Sequence, residues 1–68
     1  MATNSTNTLP RLLTTEELAD YVGQSVRTLE GWRKRNSGPA WVELEKGVRY
    51  REDHVVEYLE SRTRGAAA

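Results

Sequence analysis

Arg27, Arg33, Lys34 and Arg35 place four of the chain's ten Lys and Arg residues within nine positions, opposed only by Glu30. Guanidinium and ammonium groups at this density suit the binding of anionic oxygens, and arginine can also take guanine through two parallel hydrogen bonds. The same stretch, SVRTLEGWRKRNSGP from 25 to 39, carries Val26, Leu29 and Trp32. At roughly 100° per residue those three point one way on a helix, leaving Arg27, Gly31 and Lys34 opposite, with Thr28 and Arg35 on one flank. A second set of cations, Lys46, Arg49 and Arg51, follows within a predicted hairpin.

Catalytic chemistry finds no foothold. The 68 residues include no cysteine and one histidine, His54, so neither a thiolate nucleophile nor a thiolate zinc site can form. No Gly-rich phosphate loop is present, and the carboxylates are scattered over solvent faces. Neither an enzyme nor a cofactor is expected. His54 reads as a surface or helix-end residue.

Three helical stretches and a hairpin must position the cations. Thr14 and Glu17 fit a capping box, and Leu18, Ala19 and Val22 share one face of the helix that follows. Gly23 suits the left-handed conformation that ends a helix, and Ser25 is a good N-cap only two residues later. A helix, a tight turn with glycine and a second helix in succession make the helix-turn-helix pattern. The second helix is expected from Val26 to Asn36, broken by Ser37-Gly38-Pro39. Gly31 there is either a weakening glycine, at about 1 kcal/mol relative to alanine, or a gap that lets a partner approach the backbone.

Trp41 to Leu44 and Val48 to Tyr50 alternate like strands, joined by Glu45-Lys46-Gly47. Val42 and Leu44 are expected to face inward with Val48 and Tyr50, and Arg49 outward. Asp53 suits the N-cap of a last helix whose buried stripe is Val55, Val56 and Leu59, ending near Arg62. Trp32 and Trp41 read as core. Tyr50 reads as a buried ring whose hydroxyl can reach a phosphate, and Arg33 as a partner for an acidic residue of the first helix. The fold class is therefore mainly α with a β-hairpin, a winged helix-turn-helix.

The totals bound the answer. One small domain is expected over residues 9–62, between disordered tails at 1–8 and 63–68. A chain of this size buries only about 60% of its unfolded surface. No apolar run approaches the roughly 20 residues needed to span a bilayer, and MATNSTNT lacks the features of a secretion signal, so a cytoplasmic protein is expected. Ten acidic residues balance the ten basic ones. That argues against coating nucleic acid by bulk charge, but it leaves room for a single basic face.

In a winged helix-turn-helix the second helix enters the major groove, where base edges carry an unambiguous code. Arg27 and Thr28 are then the best-placed base readers. Ser25, Lys34 and Arg35 can grip phosphates, Gly31 permits close approach, and Lys46, Arg49 and Arg51 form the patch on the wing.

From LLTTEELA through SVRTLEGWR and GPAWVEL to VRYREDHVVEYLE, the chain resembles small winged helix-turn-helix proteins of the phage excisionase and AlpA type, distant relatives of the MerR DNA-binding domain. The resemblance covers about 50 residues. It implies double-stranded DNA as partner, through Ser25, Arg27, Thr28 and Lys34 in the major groove and Lys46 and Arg49 on the wing. Glu43 and Glu45 make this hairpin less basic than such wings often are. MerR regulators append a dimerisation helix and an effector domain; neither follows here, so no small-molecule ligand is expected. Excisionases bind attachment-site DNA, bend it and bias an integrase toward excision. The resemblance therefore implies a recombination directionality factor, with an integrase and neighbouring copies of the chain as further partners. Two alternatives stand beside it: a small phage or prophage transcriptional regulator acting at an operator, and a protein-interaction module.

Overall fold

The computed structural model describes residues 9–65. The expected tail at 1–8 and the last three residues of the tail expected at 63–68 lie outside it, while Thr63, Arg64 and Gly65 are exposed and outside any helix. The order of elements is β1 (Leu12–Thr14), α1 (Thr15–Val22), α2 (Val26–Lys34), β2 (Val42–Leu44), β3 (Gly47–Arg51) and α3 (Glu52–Arg62). The three strands form an antiparallel sheet in the order β1-β3-β2, which with the three helices makes a winged helix-turn-helix.

Local chemistry sets most boundaries. At the start of α1, the Glu17 amide donates to Thr14 Oγ1 at 3.0 Å and the Thr14 amide donates to Glu17 Oε1 at 2.9 Å, so two orphan donors are satisfied reciprocally. The helix ends at Gly23, whose φ of 74° a side chain would strain. Ser25 then caps α2.

The stop of α2 comes earlier than the sequence suggests, at Lys34 rather than Asn36. Asn36 adopts a left-handed φ of 56°, and its amide donates to the Arg33 carbonyl while the Ser37 amide donates to that of Trp32. This is the paired geometry by which a left-handed residue closes a helix. Asparagine tolerates that conformation better than other residues with a Cβ.

The core gathers Leu18 and Ala19 of α1, Leu29 of α2, Tyr50 of β3 and Val55 of α3, all buried. Leu13, Val22, Val26, Trp32, Trp41, Val48 and Leu59 pack around them. Fully burying Leu18 and Leu29 is worth about 1.5–3 kcal/mol each. The Trp32 ring also meets that of Tyr58 in a tilted contact, with centroids 5.7 Å apart.

The hairpin corrects the expected facing of its strands. Leu44 pairs with Gly47, Glu43 with Val48 and Val42 with Arg49. The connection is thus the two residues Glu45-Lys46 rather than three, and a one-residue change of register turns every side chain of a strand to the other face. Val42 and Leu44 share the outer face with Arg49, whereas Glu43 shares the inner face with Val48. The gain that fixes this choice is Trp41, which strand alternation brings to the core side in place of the smaller Val42.

α3 brings two more corrections. Asp53 is not the N-cap; that position is Arg51, and Asp53 instead takes a bidentate ion pair from the Arg51 side chain. Val56 is 48% exposed, and the helix turns Val55 and Leu59 inward with Tyr58 beside them. Strand β1 is an addition the sequence reading lacked. Its Leu13 pairs with Tyr50 and its Thr14 with Arg49.

Candidate nucleic-acid interface

The outward face of α2 and its C-cap carry three exposed cations, Arg27, Lys34 and Arg35, none of them in an ion pair among the described residues. The helix is anchored beneath them by Leu29 and by Arg33. Nη1 of Arg33 donates to the Tyr50 hydroxyl at 2.8 Å and to Thr15 Oγ1 at 3.3 Å. The expected acidic partner for Arg33 in the first helix is therefore a hydroxyl. Tyr50 is only 1% exposed, so its hydroxyl serves Arg33 inside the fold and is withdrawn from any phosphate. A buried phenol needs such a partner, because an unpaired polar group away from water is costly.

At the N-terminus of α2, Ser25 Oγ accepts from the Thr28 amide at 3.1 Å and lies 3.0 Å from Thr28 Oγ1. One hydroxyl hydrogen is used within that pair, which leaves one for a ligand. Ser25 is exposed and Thr28 half-buried. The first turn of α1 contains Glu16 and Glu17, but that of α2 contains no acidic residue. The partial positive charge of that helix end is thus left uncompensated by the chain itself. Gly31 lies beneath a cation: a Cβ built there would sit 3.2 Å from Arg35 Nη1. Only the mobile tip of Arg35 occupies that space, so the fold itself makes little demand for glycine.

The wing cations stand in three different situations. Lys46 is exposed at the hairpin tip. Arg49 lies on the outer face of the sheet and donates from Nη1 to the Val48 carbonyl at 2.9 Å. Arg51 is committed to Asp53, through Nε to Oδ1 at 3.0 Å and Nη2 to Oδ2 at 2.8 Å. Those hydrogen bonds, with the attraction between the charges, hold the Asp53 carboxyl below its ordinary value and raise the Arg51 guanidinium above its own. Of the nine residues singled out in the sequence, Ser25, Arg27, Thr28, Gly31, Lys34 and Arg35 come together on α2. Lys46, Arg49 and Arg51 spread along β3 and its turn, and Arg51 carries a charge already neutralised.

One feature escaped the sequence reading. A groove of about 380 Å3 between α2 and the hairpin is lined by Glu30, Arg33, Lys34, Trp41 and Glu43. With Arg33 turned inward to Tyr50, Lys34 there faces two carboxylates that make no ion pair among the described residues. The position of Glu30, four residues before Lys34, could have signalled half of this arrangement. The contribution of Glu43 depends on the hairpin register.

His54 is partly buried near the start of α3, and its Nδ1 has no hydrogen-bond partner among the described residues. Among the described residues there is no group of three or more His, Cys, Asp or Glu side chains able to hold a metal ion, and no helix long and apolar enough to cross a membrane. Compared with known families, residues 12–63 match the helix-turn-helix domain, from the first residue of β1 to the residue after α3. No curated protein matches the chain.

Proposed function

The chain belongs to the helix-turn-helix domain family, a family that binds double-stranded DNA in a sequence-specific manner, and from that premise we propose that it is an excisionase-type recombination directionality factor. In this reading α2 lies in the major groove, with Arg27 and Thr28 against base edges and Ser25, Lys34 and Arg35 on phosphates. Gly31 lets the helix backbone come close. Lys46 leads the wing contact, with Arg49 behind it and Arg51 available only when it leaves Asp53.

The observation that carries the DNA interface is the ridge of Arg27, Lys34 and Arg35, exposed and without an ion pair among the described residues, on a helix fixed from below by Leu29 and Arg33. The uncompensated N-terminus of α2 adds a place for a phosphate oxygen. The step from DNA binding to excision rests on the resemblance of this helix-turn-helix and wing to phage excisionases. Such a protein breaks and forms no bonds. It binds repeated sites beside an attachment site and bends the DNA for an integrase. Bending costs about 1–6 kcal/mol, so neighbouring copies would share it.

The test is to mix the purified chain with sheared DNA of its source genome and sequence the retained fragments. Repeated sites beside an integrase gene, followed by stimulated excision in a recombination assay, support the proposal. Sites at promoters make the chain a transcriptional regulator, and no enrichment at moderate salt leaves a protein-interaction module. On an enriched site, Lys34→Ala is expected to weaken binding to all sequences and to reduce the salt slope by about one. Arg27→Ala is expected to cost about 1–3 kcal/mol and to relax the preference at one base pair.

A further inference from the structure

The carboxylates of this chain are as unevenly placed as its cations. α1 and α3 carry Glu16, Glu17, Asp20, Glu52, Asp53, Glu57 and Glu60 against a single basic residue, Arg62. Where these two helices meet β1, the surface opens into a groove of about 320 Å3. Its floor is apolar, formed by Leu13, Val55 and Leu59. Its walls include two exposed hydrophobic side chains, Tyr21 at 72% and Val56 at 48%. None of the nine residues assigned to DNA lines it, so a helix seated in the major groove leaves it open.

The rim has one dominant sign. Asp20 and Glu52 border the groove without an ion pair among the described residues, and Glu17 borders it too while its Oε1 holds the α1 capping box. Arg11 is the one cation of the lining, and its carbonyl accepts from the Glu52 amide at 2.8 Å. An apolar floor between two helices, rimmed by carboxylates, suits the helix-in-groove mode of recognition. The volume is at the low end of the roughly 300–1,000 Å3 usual for ligand pockets, which is room for side-chain anchors rather than a whole ligand.

We propose that the groove between α1 and α3 docks a basic amphipathic helix of a partner protein, with its aliphatic side chains on Leu13, Val55 and Leu59 and its Lys or Arg residues over Asp20 and Glu52. So small a contact binds weakly when free. It becomes effective when both proteins sit on one DNA molecule, where the second contact forms at high local concentration.

The test uses the full chain and a displayed library of random helix-length peptides, so it needs no DNA and does not depend on the excisionase reading. Enriched peptides are expected to combine Leu, Ile or Phe at helical spacing with Lys and Arg. In amide shift mapping, the changes should centre on Tyr21, Val56 and Leu59. Asp20→Asn with Glu52→Gln, which keeps the shapes and removes the charges, should weaken such a peptide by about fivefold to tenfold. Val56→Asp should abolish binding, with the unfolding midpoint of each variant measured as a control for folding. Four results would overturn the proposal: enrichment of acidic or uncharged peptides, shifts confined to α2, binding indifferent to both variants, or no enrichment. Self-association that maps to the groove and excludes the peptide would also overturn it, making a second copy the occupant.

Discussion

Gly38 is the position where one methyl group should cost most. Its φ is 80°, a conformation that a residue with a Cβ adopts at a cost of about 1–2 kcal/mol. A Cβ there would also lie 2.7 Å from Trp32 Cε3, closer than side-chain contacts come, and a tight 3.1 Å from Cδ2. The indole cannot swing away easily, because it packs against the core and meets Tyr58 on α3. Overpacking of this kind costs about 1–3 kcal/mol, so Gly38→Ala should destabilise the fold by about 2–5 kcal/mol in all. A domain of the described size has only about 3–9 kcal/mol to lose. At about 4–8 °C per kcal/mol, its melting midpoint should fall by about 8 °C or more. Gly23→Ala is the internal control: its φ of 74° is nearly the same, but nothing lies within 4 Å of the added Cβ. That variant should lose only the conformational part, about 1–2 kcal/mol. Thermal and urea unfolding of both variants, followed by tryptophan fluorescence and circular dichroism, separates strain from clash. Equal losses for the two would refute the Gly38–Trp32 contact and with it the placement of the turn between α2 and the wing.

Three further outcomes follow from the same geometry. Tyr50→Phe removes the hydroxyl that accepts from Arg33 at 2.8 Å in a half-buried setting and should lower stability by about 1–3 kcal/mol; an unchanged urea midpoint would mean the bond carries nothing. Glu30→Gln with Glu43→Gln removes the two carboxylates that face Lys34, so affinity for random-sequence DNA at low salt should rise by about threefold or more in a titration. Unchanged or weaker binding would place the phosphate backbone away from that groove. Because Arg51 depresses the Asp53 carboxyl, the pair contributes stability that is present above the ordinary aspartate value of about 3.9 and is lost as pH falls through the lower folded value. Asp53→Asn should flatten that acid limb in melting midpoints taken between neutral pH and pH 3, and a curve parallel to that of the unchanged chain would rule out the contribution.

The sequence by itself determined what is local. The Thr14–Glu17 capping box, the left-handed Gly23 and the Ser25 cap depend on residues at most four apart, so both helix starts and the turn of the helix-turn-helix could be read directly. Helical periodicity likewise placed Leu29 inside and Arg27 and Lys34 outside, which was enough to locate the basic face. Only the tertiary structure decided the rest, because its energies come from partners distant in the chain. Strand β1 is three residues long and becomes a strand only by pairing with β3, nearly forty residues on. The hairpin register follows from burying Trp41 against the helices; pairing Gly47 with Leu44 turns Val42 and Leu44 outward and brings Glu43 into the groove beside α2. Arg33 sits among basic neighbours in sequence, yet the need of the buried Tyr50 hydroxyl for a partner draws it inward and leaves Arg27, Lys34 and Arg35 to the surface.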